Sequence, residues 1–185
     1  MSEVVRLTLV SHAMTDAMAA GRFPTDEPVN ALGRRQLDGV MLESVERAVC
    51  GPESRAQQTA AMLGLRPDIE PAIADLDCGR WRGSPLGAVS PDEMTIWLTD
   101  PASAPHGGES VVDLVGRVGR WMDSLSAHRM RVVAVTHPAV VRAAVVVALD
   151  APPKSFWRID VAPVSRTVLH CRGHAWNVRA AGPNS

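Results

Sequence analysis

The sequence is poor in the residues that mark several protein classes. Its three cysteines, Cys50, Cys78 and Cys171, are scattered and lack the C-x-x-C spacing of a zinc site. An odd, scattered set also argues against a disulfide framework and indicates reduced thiols. No Gly-x-Gly-x-x-Gly fingerprint follows the first apolar run, which counts against a dinucleotide-binding enzyme.

Long apolar runs and a strong net charge are also missing. The longest apolar run, residues 143–149, is much shorter than the ~20 residues that span a bilayer. The N-terminus lacks the basic and apolar regions of a signal peptide. The formal net charge is −1 and the pI is about 6.6, so no global field favours nucleic acid or an anionic membrane. We therefore expect a cytoplasmic protein with neither of these partners.

What is present is ordinary for a globular protein. Hydrophobic residues make up 46% of the 185 residues and charged residues 21%. A chain of this length can bury a sizeable core in one domain, so we expect a single domain over residues 1–185. All basic residues except Lys154 are arginines, a bias that genome base composition explains more simply than function.

Predicted strands and helices alternate along the chain. Apolar runs predict strands at 4–10, 47–50 and 131–136, and a late pair at 160–170 and 176–179. Helical patterns lie between the strands. One follows an N-cap at Asn30 and carries Leu37, Val40 and Met41 on one face. A second covers 53–63, a third begins near Glu109 and a fourth begins at Pro138. This alternation predicts an α/β fold with a mainly parallel central sheet flanked by helices on both faces.

Residues 66–108 differ from the rest because they are rich in proline and irregular in pattern. Such a segment suits an excursion from the sheet rather than a regular crossover. We expect it to form a lid over the carboxyl edge of the sheet.

Three residues follow predicted strands in equivalent positions. His12 and His137 each stand directly after a strand, and Arg55 stands at the start of the helix that follows another. Taken singly, each is more often structural. In open α/β sheets, however, ligands bind at the carboxyl ends of the strands, and a helix N-terminus favours an anion. Together they predict a site for a small dianion such as phosphate.

An ordered series of motifs resembles the histidine phosphatase superfamily, the phosphoglycerate mutase-like phosphatases. The family opens with Arg-His-Gly and a Thr two residues later, and the corresponding residues here are Ser11-His12-Ala13 and Thr15. Later segments of the chain resemble the following family motifs, namely "EPVNALGRRQ" (27–36), "GPESRAQQTA" (51–60), "IADLDCGRWRG" (73–83), "HGGES" (106–110) and "VVAVTHPAVVRA" (132–143).

The resemblance implies a chemistry for the site. His12 would attack phosphorus and become a phosphohistidine, with its other ring nitrogen held by a backbone carbonyl. Arg55 would hold phosphoryl oxygens, and a protonated His137 would add a second positive donor. Asp75 falls at the position of the family's acid, with Asp77 as the near alternative, and partial burial is expected to raise its pKa. No metal or cofactor is implied.

The same resemblance assigns Ser11, Thr15, Glu109 and Pro138 to substrate binding, and two of these depart from the family pattern. Ser11 replaces an arginine, and Pro138 replaces a glycine whose backbone N–H can face the phosphate. Both changes weaken the expected phosphate pocket. The arginines that could supply the missing charge are Arg22, Arg80, Arg82 and Arg142.

Two functions follow as hypotheses. The first is a phosphomonoester hydrolase that acts on a small phosphorylated metabolite, with activity reduced by the changes at Ser11 and Pro138. The second is a weakly active or inactive relative that binds a phosphorylated ligand or a protein partner. The sequence indicates neither the substrate nor the oligomeric state.

Overall fold

A six-stranded sheet organises the chain. The computed structural model describes residues 4–42, 45–127, 129–173 and 175–179. The strands run in the order β3-β2-β4-β1-β5-β6 across the sheet. Their bounds are β1 Val4–Ser11, β2 Arg47–Cys50, β3 Asp68–Ile69, β4 Arg131–Thr136, β5 Arg166–Arg172 and β6 Ala175–Arg179.

The four strands β3, β2, β4 and β1 are mutually parallel, whereas β5 and β6 add antiparallel pairs at one edge. Ser11 at the end of β1 lies opposite Thr136 at the end of β4, and Cys50 at the end of β2 lies opposite Val135. The chain therefore leaves three neighbouring strands at the same edge of the sheet. The predicted α/β fold with a mostly parallel central sheet is confirmed.

Helices cover both faces of this sheet. On β4, Val132 and Ala134 pack into the core that the helices Val111–Ser126 and Pro138–Ala148 also form, whereas Val133 and Val135 point to the opposite face, against Ala60 of the helix Ser54–Met62. This alternation is the period of two that a strand imposes on its side chains. The helix bounds are α1 Asp16–Ala19, α2 Ala31–Gln36, α3 Ser54–Met62, α4 Pro91–Thr99, α5 Val111–Ser126 and α6 Pro138–Ala148.

Two predicted elements are shorter than expected. The helix after Asn30 ends at Gln36 and does not extend to Met41, because Gly39 takes a φ of +73° and the chain turns out of the helical path. The strand predicted from residue 160 begins only at Arg166, because Val164 takes a φ of +60° just before it. The late strand at 176–179 is confirmed as β6.

The irregular segment 66–108 contains β3, α4 and three short 3₁₀ turns, at Pro71–Ile73, Gly79–Trp81 and Leu86–Ala88. Its apolar residues Ile73, Leu76, Trp81 and Trp97 are buried in the core that α5 and α6 also form. The segment is thus packed onto the body of the protein. No helix of the described residues has both the length and the apolar character needed to cross a bilayer.

Candidate active site

Two histidines meet where β1 and β4 end. His12 follows β1, and His137 follows β4 as the N-cap residue of α6. Their ring centroids are 5.2 Å apart, and the backbone N–H of His12 donates to the carbonyl of Thr136 at 2.9 Å. Both side chains are buried. The parallel pairing of the two strands therefore brings two imidazoles together at the carboxyl edge of the sheet.

The orientation of His12 leaves one ring nitrogen available. Its Nδ1 lies 2.8 Å from the carbonyl oxygen of Ala13, and because a carbonyl can only accept, Nδ1 carries the proton. Burial, followed by the charge of His137, lowers the pKa of His12 to about 4. The ring is therefore neutral near pH 7, and Nε2 keeps the lone pair that a nucleophile needs.

Arg55 places a guanidinium beside the histidines. It lies in the first turn of α3, its side chain is only 1% exposed, and Nη1 donates to the carbonyl of Thr25 at 2.7 Å. Nη2 donates to Oδ2 of Asp75 at 2.6 Å. Its Nε is buried without a hydrogen-bond partner among the described residues. A buried guanidinium with a spare donor is suited to an anionic ligand.

Asp75 lies between Arg55 and His137. The Oδ2 atom that accepts from Arg55 also lies 3.5 Å from Nδ1 of His137. Burial acts to raise the pKa of Asp75, but the charge of His137, followed by the charge and hydrogen bond of Arg55, outweighs it and holds the pKa below its ordinary value. The prediction that the pKa of Asp75 is raised is therefore wrong, because burial alone was the reason for it and the neighbouring charges act in the opposite direction.

Glu53 is a site residue that the sequence analysis missed. Its Oε2 lies 2.6 Å from Nε2 of His137, and its Oε1 accepts from the backbone N–H of Asp75 at 2.9 Å. Burial acts to raise the pKa of Glu53, but the hydrogen bond and charge of His137 hold it below its ordinary value. With Asp75 near the other ring nitrogen, His137 faces a carboxylate oxygen on both sides.

Gly51 makes room for the contact between Glu53 and His137. A Cβ atom at Gly51 would lie 2.8 Å from Nε2 of His137 and 2.9 Å from Oε2 of Glu53. Contacts that short would force the pair apart. No local pattern reveals this pair, because Glu53 and His137 are 84 positions apart in the chain.

Glu109, expected to bind substrate, instead pairs with Arg117 of α5. Its two carboxylate oxygens accept from Nε and Nη2 of Arg117, each at 2.8 Å. Arg117 also donates to the carbonyls of Ala72 and Ala74, directly before Asp75. Glu109 lies in the wall of a second, polar cavity of about 430 Å³. The structure thus places it behind the loop that carries Asp75.

Thr15 and Ser11 are both buried in the backbone framework of the site. Thr15 caps α1, and its hydroxyl donates to Glu27 at 3.2 Å. Ser11 is bonded through its backbone to Ser165 and Val164, at 3.1 and 3.0 Å, and its Oγ has no partner among the described residues. Neither residue lines the cavity that His12 enters.

That cavity has a volume of about 210 Å³ and brings together His12, Arg55 and Asp75. Pro138, the fourth residue expected to bind substrate, also forms part of its wall. The thiol of Cys78 lines it too, but burial raises the pKa of Cys78 to about 12, so it stays protonated and is no competing nucleophile. The remaining wall is mostly apolar, formed by Ala17, Met18, Phe23, Pro24, Leu86, Trp97, Ala139, Phe156 and Trp157.

Of the four arginines considered as replacements for the missing one, Arg22 and Arg142 line this cavity. Arg80 instead bonds to the carbonyl of Pro105 and to Glu93. Arg82 pairs with Asp77 at 3.1 Å, and both of these side chains are exposed. Of the two residues considered as the acid, Asp77 lines only the second cavity, whereas Asp75 lines the cavity that His12 enters.

This arrangement can bind a small dianion and attack it. A neutral imidazole offers a lone pair beside a buried guanidinium and a second imidazole. Among the described residues, no group of three or more His, Cys, Asp and Glu side chains could hold a metal ion.

Comparison with known families and curated proteins relates this chain to phosphatases. A family model described as histidine phosphatase superfamily, branch 1, matches residues 7–182. The chain is 26% identical over 186 residues to a bifunctional protein of Mycobacterium tuberculosis, covering 91% of this chain and 51% of that protein. It is 31% identical over 127 residues to glucosyl-3-phosphoglycerate phosphatase of Mycolicibacterium vanbaalenii, covering 62% of this chain and 56% of that protein. The chain thus spans about half the length of the curated relatives it matches.

Solved structures resemble it over nearly the full length. A mycobacterial glucosyl-3-phosphoglycerate phosphatase complexed with VO3 superposes with a TM-score of 0.83 at 25% identity, covering 94% of this chain and 96% of that one. A structure described as mycobacterial hydrolase 1 gives a TM-score of 0.84 at 24% identity, covering 96% and 97%. The second likeness concerns the fold alone.

Proposed function

Since the chain belongs to branch 1 of the histidine phosphatase superfamily, we propose that it is a phosphomonoester hydrolase that acts through a phosphohistidine on His12. Its substrate is a small phosphorylated metabolite. One observation carries the proposal: the neutral imidazole of His12 and the buried guanidinium of Arg55 line the same cavity. The phosphatase names of the curated relative and the solved structure support it.

In the first step, Nε2 of His12 attacks phosphorus, and the bond from phosphorus to the ester oxygen breaks. The lone pair is available because Nδ1 is held by the carbonyl of Ala13. Arg55 and His137 hold the phosphoryl oxygens, using the Nε of Arg55 and the Nδ1 of His137, which are both buried without hydrogen-bond partners in the described part of the chain. Such donors, fixed before the reaction, stabilise charge as it develops on the oxygens.

Asp75 is the acid that protonates the leaving oxygen. It must hold a proton to do so, although in the free site Arg55 and His137 keep its pKa low. A bound phosphoryl dianion engages these same cations and adds negative charge nearby, so both effects raise the pKa of Asp75 in the complex. In the second step, Asp75 takes a proton from water, which attacks the phosphohistidine and releases phosphate and neutral His12.

The charge lost at Ser11 is replaced from other elements in this proposal. Arg142 lines the cavity, and although burial lowers its pKa, the guanidinium remains a cation. Glu53 acts as a positioning residue, because its carboxylate holds both the imidazole of His137 and the backbone of Asp75. Within the single domain proposed for residues 1–185, segment 66–108 forms the lid, since it carries Asp75, Leu86 and Trp97 into the cavity wall.

The second candidate, a relative that binds a phosphorylated ligand without hydrolysing it, is favoured by Ser11 and Pro138. Ser11 offers a neutral hydroxyl and Pro138 has no backbone N–H, so both supply less to a phosphate than the residues the family has there. The two candidate functions differ in whether the protein hydrolyses a phosphomonoester.

The deciding experiment measures hydrolysis of p-nitrophenyl phosphate by the unmodified protein and by His12→Ala. We expect a rate that depends on His12, together with protein quenched at alkaline pH, where a phosphohistidine is stable, that carries one phosphoryl group on His12 by mass spectrometry. A rate indistinguishable from that of His12→Ala contradicts hydrolysis and favours the binding function.

A further inference from the structure

Aromatic rings form the wall of the cavity beyond the phosphoryl site. Phe23 and Trp97 have ring centroids 5.7 Å apart, and Trp97 lies 4.4 Å from Trp157. Trp157 in turn meets Phe156 at 4.8 Å. All four line the same cavity as His12. Because each ring contacts the next, largely edge to face, this aromatic wall is a connected surface rather than a set of independent side chains.

A cation holds part of the aromatic wall in place. The guanidinium carbon of Arg142 lies 5.8 Å from the ring centroid of Phe156 and 5.6 Å from that of Trp157. Its Nε donates to the carbonyl of Ile159 at 2.8 Å. These contacts fix the two rings against α6, so the wall is formed before a ligand arrives.

The same wall offers few partners for hydroxyl groups. Apart from the groups assigned to the phosphoryl site, its charged side chains are Arg22 and Glu27. The carboxylate of Glu27 already accepts from the hydroxyl of Thr15 and from the backbone N–H of Thr25. Arg22 is exposed and donates to the carbonyl of Gly83. The indole N–H of Trp97, which has no partner in the described part of the chain, can donate to one hydroxyl. A sugar would nevertheless bury most of its hydroxyls against apolar rings without hydrogen bonds, which is unfavourable.

The proposed function places the phosphoryl group on His12, and on that basis we propose that the cavity selects phosphomonoesters of alcohols that carry a flat apolar group, about one aromatic ring in size. The cavity of about 210 Å³ is smaller than the roughly 300–1,000 Å³ of sites for drug-sized ligands. It holds a phosphoryl group with a single ring, whereas part of a disaccharide would extend beyond it. The substrate class is then an aryl-alkyl phosphate rather than a sugar phosphate.

The test compares substrates whose leaving groups are all alkoxides, so that differences in rate do not come from leaving-group chemistry. We measure kcat/KM for 2-phenylethyl phosphate, glycerol 3-phosphate and glucose 6-phosphate. Burial of a ring is expected to favour 2-phenylethyl phosphate by at least about tenfold over both polar esters. A smaller preference, or a preference for either polar ester, overturns the inference.

Two wall variants and a matched control test whether this wall is the cause. Trp157→Ala removes a half-buried ring of the aromatic wall, and Leu86→Asn changes an exposed leucine that also lines the cavity. Each should lower the preference for 2-phenylethyl phosphate over glycerol 3-phosphate by at least about threefold. Leu149→Asn changes an exposed leucine at the end of α6, outside the wall, and should leave the preference unchanged. An unchanged preference in both wall variants contradicts the inference even if Leu149→Asn behaves as expected.

Binding of phosphonates, which cannot be hydrolysed at phosphorus in this way, separates this inference from the proposed function. By calorimetry, benzylphosphonate should bind at least about tenfold more tightly than methylphosphonate. If that holds while no ester is turned over, the cavity preference stands and the hydrolase proposal fails. If esters are turned over but the two phosphonates bind equally, the hydrolase proposal stands and the cavity preference fails.

Discussion

Oδ2 of Asp75 lies 2.6 Å from Nη2 of Arg55, so the proposed acid is paired with the cation that is proposed to hold the phosphoryl group. The same oxygen lies 3.5 Å from Nδ1 of His137. A carboxylate between two cationic donors imitates one oxygen of a bound dianion. Binding of phosphate and ionisation of Asp75 are therefore coupled, because both anions interact with the same two side chains, Arg55 and His137.

We expect Asp75→Asn to separate these two effects. Loss of the acid should slow 2-phenylethyl phosphate by about 10²-fold or more, but slow p-nitrophenyl phosphate much less, since its leaving group departs without a proton. Loss of the negative charge should also strengthen inhibition by vanadate. Asp77→Asn, which changes an exposed carboxylate paired with Arg82, is the matched control and should alter neither property. Equal losses on both esters would remove Asp75 from the role of acid.

Glu53→Gln tests the proposed positioning of His137. Removing a carboxylate near an anion site normally strengthens anion binding, so a purely electrostatic bystander would tighten inhibition by vanadate. If Glu53 instead holds the imidazole of His137 in the orientation that binds the anion, through the 2.6 Å contact, the opposite sign follows. We expect inhibition to weaken, and kcat/KM for p-nitrophenyl phosphate to fall, each by about tenfold, which is the order of one charge-assisted hydrogen bond. Tighter inhibition in the variant would contradict the proposed role.

The strands were predictable where local pattern and tertiary environment agree. The run at 131–136 is apolar because β4 is covered on both faces, and its bounds match the prediction. The strand predicted from residue 160 begins too early, because an apolar pattern does not reveal that Val164 takes a positive φ before β5. Backbone hydrogen bonds of Val164 and Ser165 to Ser11, more than 150 positions away, accompany that turn.

The candidate site was predictable to the extent that the ends of strands determine it. His12, Arg55 and His137 follow three strands that are neighbours in the sheet. The rule that ligands bind at the carboxyl ends of strands in open α/β sheets therefore predicted that these residues lie close together. Glu53 was missed because its partner belongs to another strand end, and no spacing within one element reveals that pairing. The pKa of Asp75 was predicted in the wrong direction for the same reason: burial can be guessed from sequence, but the distance to two cations cannot.

Neutral burial of His12 should make stability depend on pH. The folded protein holds the pKa of His12 at about 4, against 6.5 for an ordinary histidine. Between these values the unfolded chain binds a proton at His12 and the folded protein does not, so acidification favours unfolding. As the pH falls from above 6.5 to below 4, the free energy of unfolding decreases by roughly 3 kcal/mol because of His12. Urea unfolding at pH 7.5, 6.0 and 5.0 should show a smaller loss of stability for His12→Asn than for the unmodified protein. Equal losses would show that His12 is not buried in its neutral form.

Ser11→Arg tests whether the missing arginine has been replaced. Ser11 is fully buried, its Oγ has no partner within the described residues, and it directly precedes His12, where the family has its arginine. If Arg142 already supplies the charge, a second guanidinium adds repulsion and crowding, and activity should not rise. We expect kcat/KM for p-nitrophenyl phosphate to stay level or fall in Ser11→Arg.

The companion variant makes that result decisive. Arg142→Met keeps a long apolar side chain against Phe156 and Trp157 but removes the guanidinium. It should lower kcat/KM for p-nitrophenyl phosphate by about tenfold or more, since arginines at phosphoryl transition states contribute up to ~10³-fold and beyond. Because Arg142→Met removes the guanidinium that would repel a new arginine, Ser11→Arg in this background should restore at least part of the lost kcat/KM. A rise in activity for Ser11→Arg alone, with no effect of Arg142→Met, would instead mean that the charge was simply lost at Ser11 and that Arg142 only supports the aromatic wall.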